Sequence, residues 1–97
     1  MARLAYSGEA SADIDEIAEF SVERFGPEVA LAYVDGLETA CERLANFPEL
    51  AAVYPRIRPE IRCLTYRSHR IFYRIEADDV LIVRVLHSAR DVKRTLG

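Results

Sequence analysis

Two cysteines and two histidines in 97 residues leave little material for a metal framework, and no glycine-rich phosphate loop, CxxC or HExxH occurs in the chain. Cys41 and Cys63 lie in apolar-patterned segments without metal-ligand spacing, the setting of buried free thiols. Tryptophan is absent, and lysine occurs only as Lys93. No stretch approaches the ~20 apolar residues that a membrane span requires. Nor does MARLAYSGEAS carry the apolar region of a secretory signal. The expectation is a cytoplasmic protein with no membrane association, no metal and no cofactor, folded as a single domain over residues 1–97 around one two-layer core.

What the chain does have is charge, unevenly placed. Residues 1–50 hold three arginines against eleven acids, and residues 51–97 hold ten basic residues against five acids, so a net −3 conceals an acidic half and a basic half. Twelve of the thirteen basic residues are arginine, whose planar fork suits carboxylate or phosphate recognition. The same arginines could equally solvate a sheet face. An acidic half repels a polyanion over much of the surface, so direct, tight nucleic-acid binding is not expected. An acidic, partly disordered protein segment suits the basic half better.

Periodicity sets the element order. ARLAYS, residues 2–7, reads as a short strand, and Ser7 is placed to cap a helix whose apolar side holds Ala10, Ile14, Ile17, Ala18 and Phe25. Asp13, Glu16, Glu19 and Glu23 are expected outside. Gly26-Pro27 supplies a helix stop and a proline for the first turn of the next helix. There Ala30, Val34, Leu37, Cys41 and Leu44 form a narrow seam until Pro48. Residues 8–47 therefore read as an antiparallel helical hairpin.

PELAAVYPRIRP, residues 48–59, has three prolines and no period, and reads as a crossing loop. IRCLTY, RIFYRIE and VLIVRVLH follow as a meander of three antiparallel strands, with His69 in a turn. DVKRTL ends the chain as a short helix capped by Asp91. The fold class is α+β, in the order β-α-α-β-β-β with a short C-terminal helix, the hairpin packed on a small antiparallel sheet. Arg70, Phe72 and Arg74 share a parity, as do Arg62, Leu64 and Tyr66, and both sets are expected on one face, arginines and aromatics together.

VLHSARD, residues 85–91, crowds an imidazole, a guanidinium and a carboxylate at the end of a core strand. One reading is structural: Asp91 caps the last helix, Arg90 ties the chain end down and His87 satisfies a backbone group. The other is functional, because perturbed ionisable groups gather at sites.

Taken in order, the acidic helix, the FGPEVA corner, ERLANFPEL, YRSHRIFYRI and RVLHSARD resemble the ParE branch of the ParE/RelE toxin superfamily over nearly the whole chain. The resemblance implies the toxin of a type II toxin–antitoxin system, neutralised by a ParD-like antitoxin in a complex built on an antitoxin dimer. RelE-like members cut ribosome-bound messenger RNA, and Arg70, His87 and Arg90 would be the catalytic candidates. However, the positions where RelE-like enzymes place lysines are Ile61 and Cys63 here, and the C-terminal tyrosine position is Leu96. ParE-like members are associated with poisoning DNA gyrase by binding alone, and that is the function expected, with the RNA endonuclease or a module that only binds antitoxin as alternatives. Under it, Arg62, Tyr66, Arg70, Phe72, Arg74 and His87 are the expected contacts to target or antitoxin, while Arg90 and Asp91 close the last strand structurally.

Overall fold

The computed structural model describes residues 2–96. β1 spans Leu4–Tyr6, α1 Gly8–Phe25, α2 Pro27–Asn46, β2 Arg62–Tyr66, β3 His69–Glu76, β4 Asp79–His87 and α3 Val92–Leu96. The strands lie in the order β1-β4-β3-β2. β2, β3 and β4 pair antiparallel, as the meander predicts, and β1 adds parallel to β4, making the sheet mixed.

Local chemistry accounts for the hairpin. Ser7 Oγ accepts from Ala10 N–H and starts α1. Gly26, at φ 89°, ends α1 through a bond from its N–H to Val22 O, a backbone conformation that glycine enters without a Cβ penalty. Pro27 opens α2 at a position whose N–H needs no partner. Along α2, Ala30, Leu37, Cys41 and Leu44 are buried, so the seam packs as expected. On α1 the pattern fails in two places. Phe25 is exposed, whereas Asp13, expected outside, is buried with Ala10, Ile17 and Ser21.

Asp13 is buried because it completes the sheet. β1 ends at Tyr6, which leaves the outer edge of β4 beyond Ile82 without a strand partner. There Ser7 Oγ donates to Val83 O at 2.7 Å, and Asp13 Oδ2 accepts from Val85 N–H at 2.9 Å. Arg84 closes the set with a fork, Nε to Oδ2 at 2.8 Å and the second nitrogen to Oδ1 at 2.9 Å. The same stretch carries a bulge. Tyr73 faces Ile82 but Phe72 faces Arg84, so Val83 is an extra residue and the register of β4 shifts by one from there on.

Two packed clusters result. Leu37, Cys41 and Leu44 of α2 meet Ile71, Tyr73, Val80, Ile82 and Val85 on one face of the sheet. On the opposite face the crossing loop and α3 lie over the sheet, with Ile57, Ile61 and Val92 against Phe72 and Leu86. Asp91 caps α3 from the position before it, its Oδ1 accepting from Arg94 N–H at 3.2 Å.

Candidate functional site

Residues facing each other across β2 and β3 share a face of the sheet, and the register divides the expected contact residues in two. Arg62 lies opposite Tyr73 and Tyr66 opposite His69, on the face under the helices; Arg70, Phe72 and Arg74 point the other way. The single arginine–aromatic face expected from parity does not exist. Arg62 donates to Ala51 O at 2.7 Å and so holds the crossing loop, and Tyr66 Oη donates to Tyr33 O at 3.3 Å. Phe72 has no exposed surface, being covered by Tyr54, Ile57 and Val92. Arg70 and Arg74 remain half-buried on the outer face, Arg74 with its Nε 3.5 Å from Glu76.

His87 lies elsewhere, and not alone. The bulge at Val83 brings it opposite His69; without it His69 would face Leu86 and His87 would point to the outer face. His69 is not a solvated turn residue but the first residue of β3, after the two-residue turn Arg67-Ser68. Its Nδ1 lies 2.7 Å from Tyr33 Oη. Tyr66, Tyr33, His69 and His87 form a run of edge-on rings with centroids 5.3, 5.6 and 5.4 Å apart. Burial, and then the charge of His87, lowers the pKa of His69, and burial raises that of Tyr33. His87 is exposed, and its Nδ1 accepts from Ala89 N–H at 3.1 Å, so in the neutral ring Nε2 carries the proton.

Tyr33, His69 and His87 line a groove of about 730 Å³ between the helical hairpin and the ends of β3 and β4. Its polar lining includes His69, His87, Arg67 and Arg90, and its apolar lining Phe20, Phe25 and Val29, which are 57%, 62% and 53% exposed. Asp13 and Glu16 lie along the α1 wall. Arg90, expected to tie the chain end down, is exposed and makes no side-chain hydrogen bond or ion pair among the described residues. Chemically the groove offers hydrogen-bond donors and positive charge beside an apolar shelf. Among the described residues no group of three or more histidine, cysteine or acidic side chains is arranged to hold a metal ion.

The three catalytic candidates of an RNA endonuclease do not converge. His87 and Arg90 line the groove, while Arg70, opposite Leu86, stands on the other face of the sheet. No motif in the sequence marks Tyr33 or the pairing of His69 with His87. The Arg67-Ser68 turn signals where β2 and β3 meet, but the bulge that brings the two histidines together has no local mark.

The architecture is thus a helical hairpin set on a small mixed sheet in the order β-α-α-β-β-β, with an open groove at its mouth, an α+β fold. Residues 4–92 match the family model described as "ParE toxin of type II toxin-antitoxin system, parDE". The chain is 36% identical over 95 residues to toxin ParE1 of Mycobacterium tuberculosis, covering 97% of both chains. It is 34% identical over 91 residues to toxin ParE1 of Caulobacter vibrioides, covering 94% of each. A solved structure titled "Chromosomal ParDE TA system from P. aeruginosa" superposes with a TM-score of 0.79 at 27% identity, covering 90% of this chain and 96% of that one. The chain belongs to the ParE toxin family of type II toxin–antitoxin systems.

Proposed function

We propose that this toxin acts in the cytoplasm as a single domain by binding DNA gyrase and stabilising its cleaved DNA, and that a ParD-like antitoxin holds it inactive until released. The observation that carries this reading is that Arg70 and His87 lie on opposite faces of the sheet, and that Arg70 is not among the residues that line the groove with His87 and Arg90. A ribonuclease needs its groups around one phosphodiester, within hydrogen-bond reach of the reacting atoms. Poisoning a topoisomerase needs surface complementarity and no chemistry from the toxin. The basic half supports an acidic antitoxin segment as the neutralising partner, since arginine forks take carboxylates in charge-assisted hydrogen bonds.

Inducing the toxin without antitoxin should halt division with filamentation and a DNA-damage response, and the purified toxin should inhibit supercoiling by gyrase. Rapid cleavage of ribosome-bound messenger RNA, with supercoiling untouched, would reverse this assignment.

A further inference from the structure

We propose that the outer face of the sheet, where the crossing loop and α3 lie, is a phosphate-contacting surface that rests on the backbone of the DNA gripped by gyrase, while the toxin's contacts to protein are made elsewhere. The proposal rests on the gyrase reading above and not on the antitoxin.

The cations of this face are held in place by the apolar cluster beneath them. Ile57 and Val92 are buried against Phe72 and Leu86, and each buried anchor carries basic neighbours. Arg56 and Arg58 flank Ile57, Lys93 and Arg94 follow Val92, and Arg70 and Arg74 stand two residues to either side of Phe72, on its face of β3. Arg56, Arg58, Lys93 and Arg94 are exposed and form no ion pair among the described residues. Arg74 Nε is closed to water and makes no hydrogen bond among the described residues, Glu76 lying 3.5 Å away. Residues 54–61, 70–76 and 91–96 thus bring six cations to this face against three acids, Glu60, Glu76 and Asp91. Of these, Asp91 is already engaged by Arg94 N–H.

The occupant follows from what this face lacks. Among the described residues, no large aliphatic or aromatic side chain is exposed from Tyr54 to Ile61 or from Ser88 to Leu96, because the apolar residues there are sealed into their own cluster. A protein partner needs an apolar centre to bury, whereas phosphate oxygens take guanidinium and ammonium groups directly. The acids of the molecule lie on the other side of the sheet, where α1 and α2 hold ten against two arginines. Even the shortest principal axis measures 21 Å, more than twice the ~8 Å over which physiological salt screens charge, so the hairpin hardly repels an anion at the outer face. The same asymmetry turns the outer face towards DNA and the hairpin away from it. A few exposed cations bind free duplex weakly and with strong salt dependence, so the surface adds to a complex that protein contacts already hold.

The toxin concentration at which gyrase holds half of a plasmid cleaved should be measured from about 50 to 200 mM salt, beside the affinity of the toxin for gyrase without DNA. Arg58→Gln with Arg94→Gln, which removes two exposed cations from the outer face, should need about tenfold more toxin and lower the salt slope by about two. Its melting temperature and its affinity for gyrase alone should stay unchanged. Arg56→Gln with Lys93→Gln, the other exposed pair, should do the same. Arg24→Gln with Arg43→Gln makes the same charge change on the helical layer and should behave as the wild type. Wild-type potency and slope in both outer-face variants overturn the proposal, and so do equal losses in the helical-layer control, which would reduce the effect to net charge. Equal losses of trapping and of affinity for gyrase without DNA overturn it as well, and assign the cations to an acidic protein surface. A wild-type toxin that leaves gyrase unaffected overturns the target reading itself, and this proposal with it.

Discussion

Asp13 shows how much one side chain can decide. Its carboxylate receives Val85 N–H and the Arg84 fork, which together hold the end of β4 against α1 where β1 has run out. With Asp13 about 10% and Arg84 15% exposed, removing one partner leaves a guanidinium without its counter-charge in a site mostly closed to water. Asp13→Ala should lower unfolding stability by about 3 kcal/mol in denaturant titration. Glu9→Ala should cost at most a few tenths, since Glu9 is 75% exposed and only 3.8 Å from the same arginine. Equal losses from the two variants would show that the Asp13 bonds do not anchor the strand. Asp13 escaped sequence reading because its spacing from Ala10 and Ile17 fits the buried stripe, yet its charge places it outside by every composition rule.

Among the elements, α2 and β2 come into close contact at Gly36 and Tyr66. A Cβ built there would run into the Tyr66 hydroxyl, and this contact lets Tyr66 reach Tyr33 O and set the ring run that ends at His87. Gly36→Ala should therefore cost about 1–3 kcal/mol of stability, the usual range for overpacking. Adding Tyr66→Phe, which removes the colliding oxygen, should restore part of that loss. If the double variant is no more stable than Gly36→Ala alone, the close approach does not set the helix-to-sheet distance. The glycine was visible in the sequence, but its reason was not, because a glycine within a helical pattern carries no record of what lies across from it.

For the molecule as a whole, stability should depend on pH at the alkaline end. Cys41 has no exposed surface, and burial raises its thiol pKa from 9.0 to about 11. Its neutral form is the folded form, so this contribution is complete below pH 9 and is lost as pH rises from about 9 towards about 11. Tyr6, which touches Cys41, and Tyr33 and Tyr73 are raised by burial in the same sense and extend the loss above pH 10. Denaturant titrations from pH 7 to 10.5 should show a flat region and then a decline, and Cys41→Ala should remove part of the portion that begins nearest pH 9, the rest coming from Cys63, whose thiol burial also raises. A wild-type curve as flat at pH 10.5 as at pH 8 would contradict the burial of these groups.

The sequence by itself determined whatever depends on neighbours along the chain. The Ser7 cap, the Gly26-Pro27 corner and the α2 seam were legible because capping, backbone freedom and helical period act within a few residues. The order of motifs carried the family in the same way. Only the tertiary structure decided which residues meet. Parity assigns side chains to two faces within a strand but does not relate one strand to the next, so Arg62 and Arg70 parted where the sequence reading joined them. Past Val83 a single extra residue turns every later side chain of β4 over, and its anchors, Ser7 and Asp13, lie more than 70 positions away. His87 faces the groove because hydrogen bonds from the first helix hold that bulge in place, a cause that no local pattern around VLHSARD could contain.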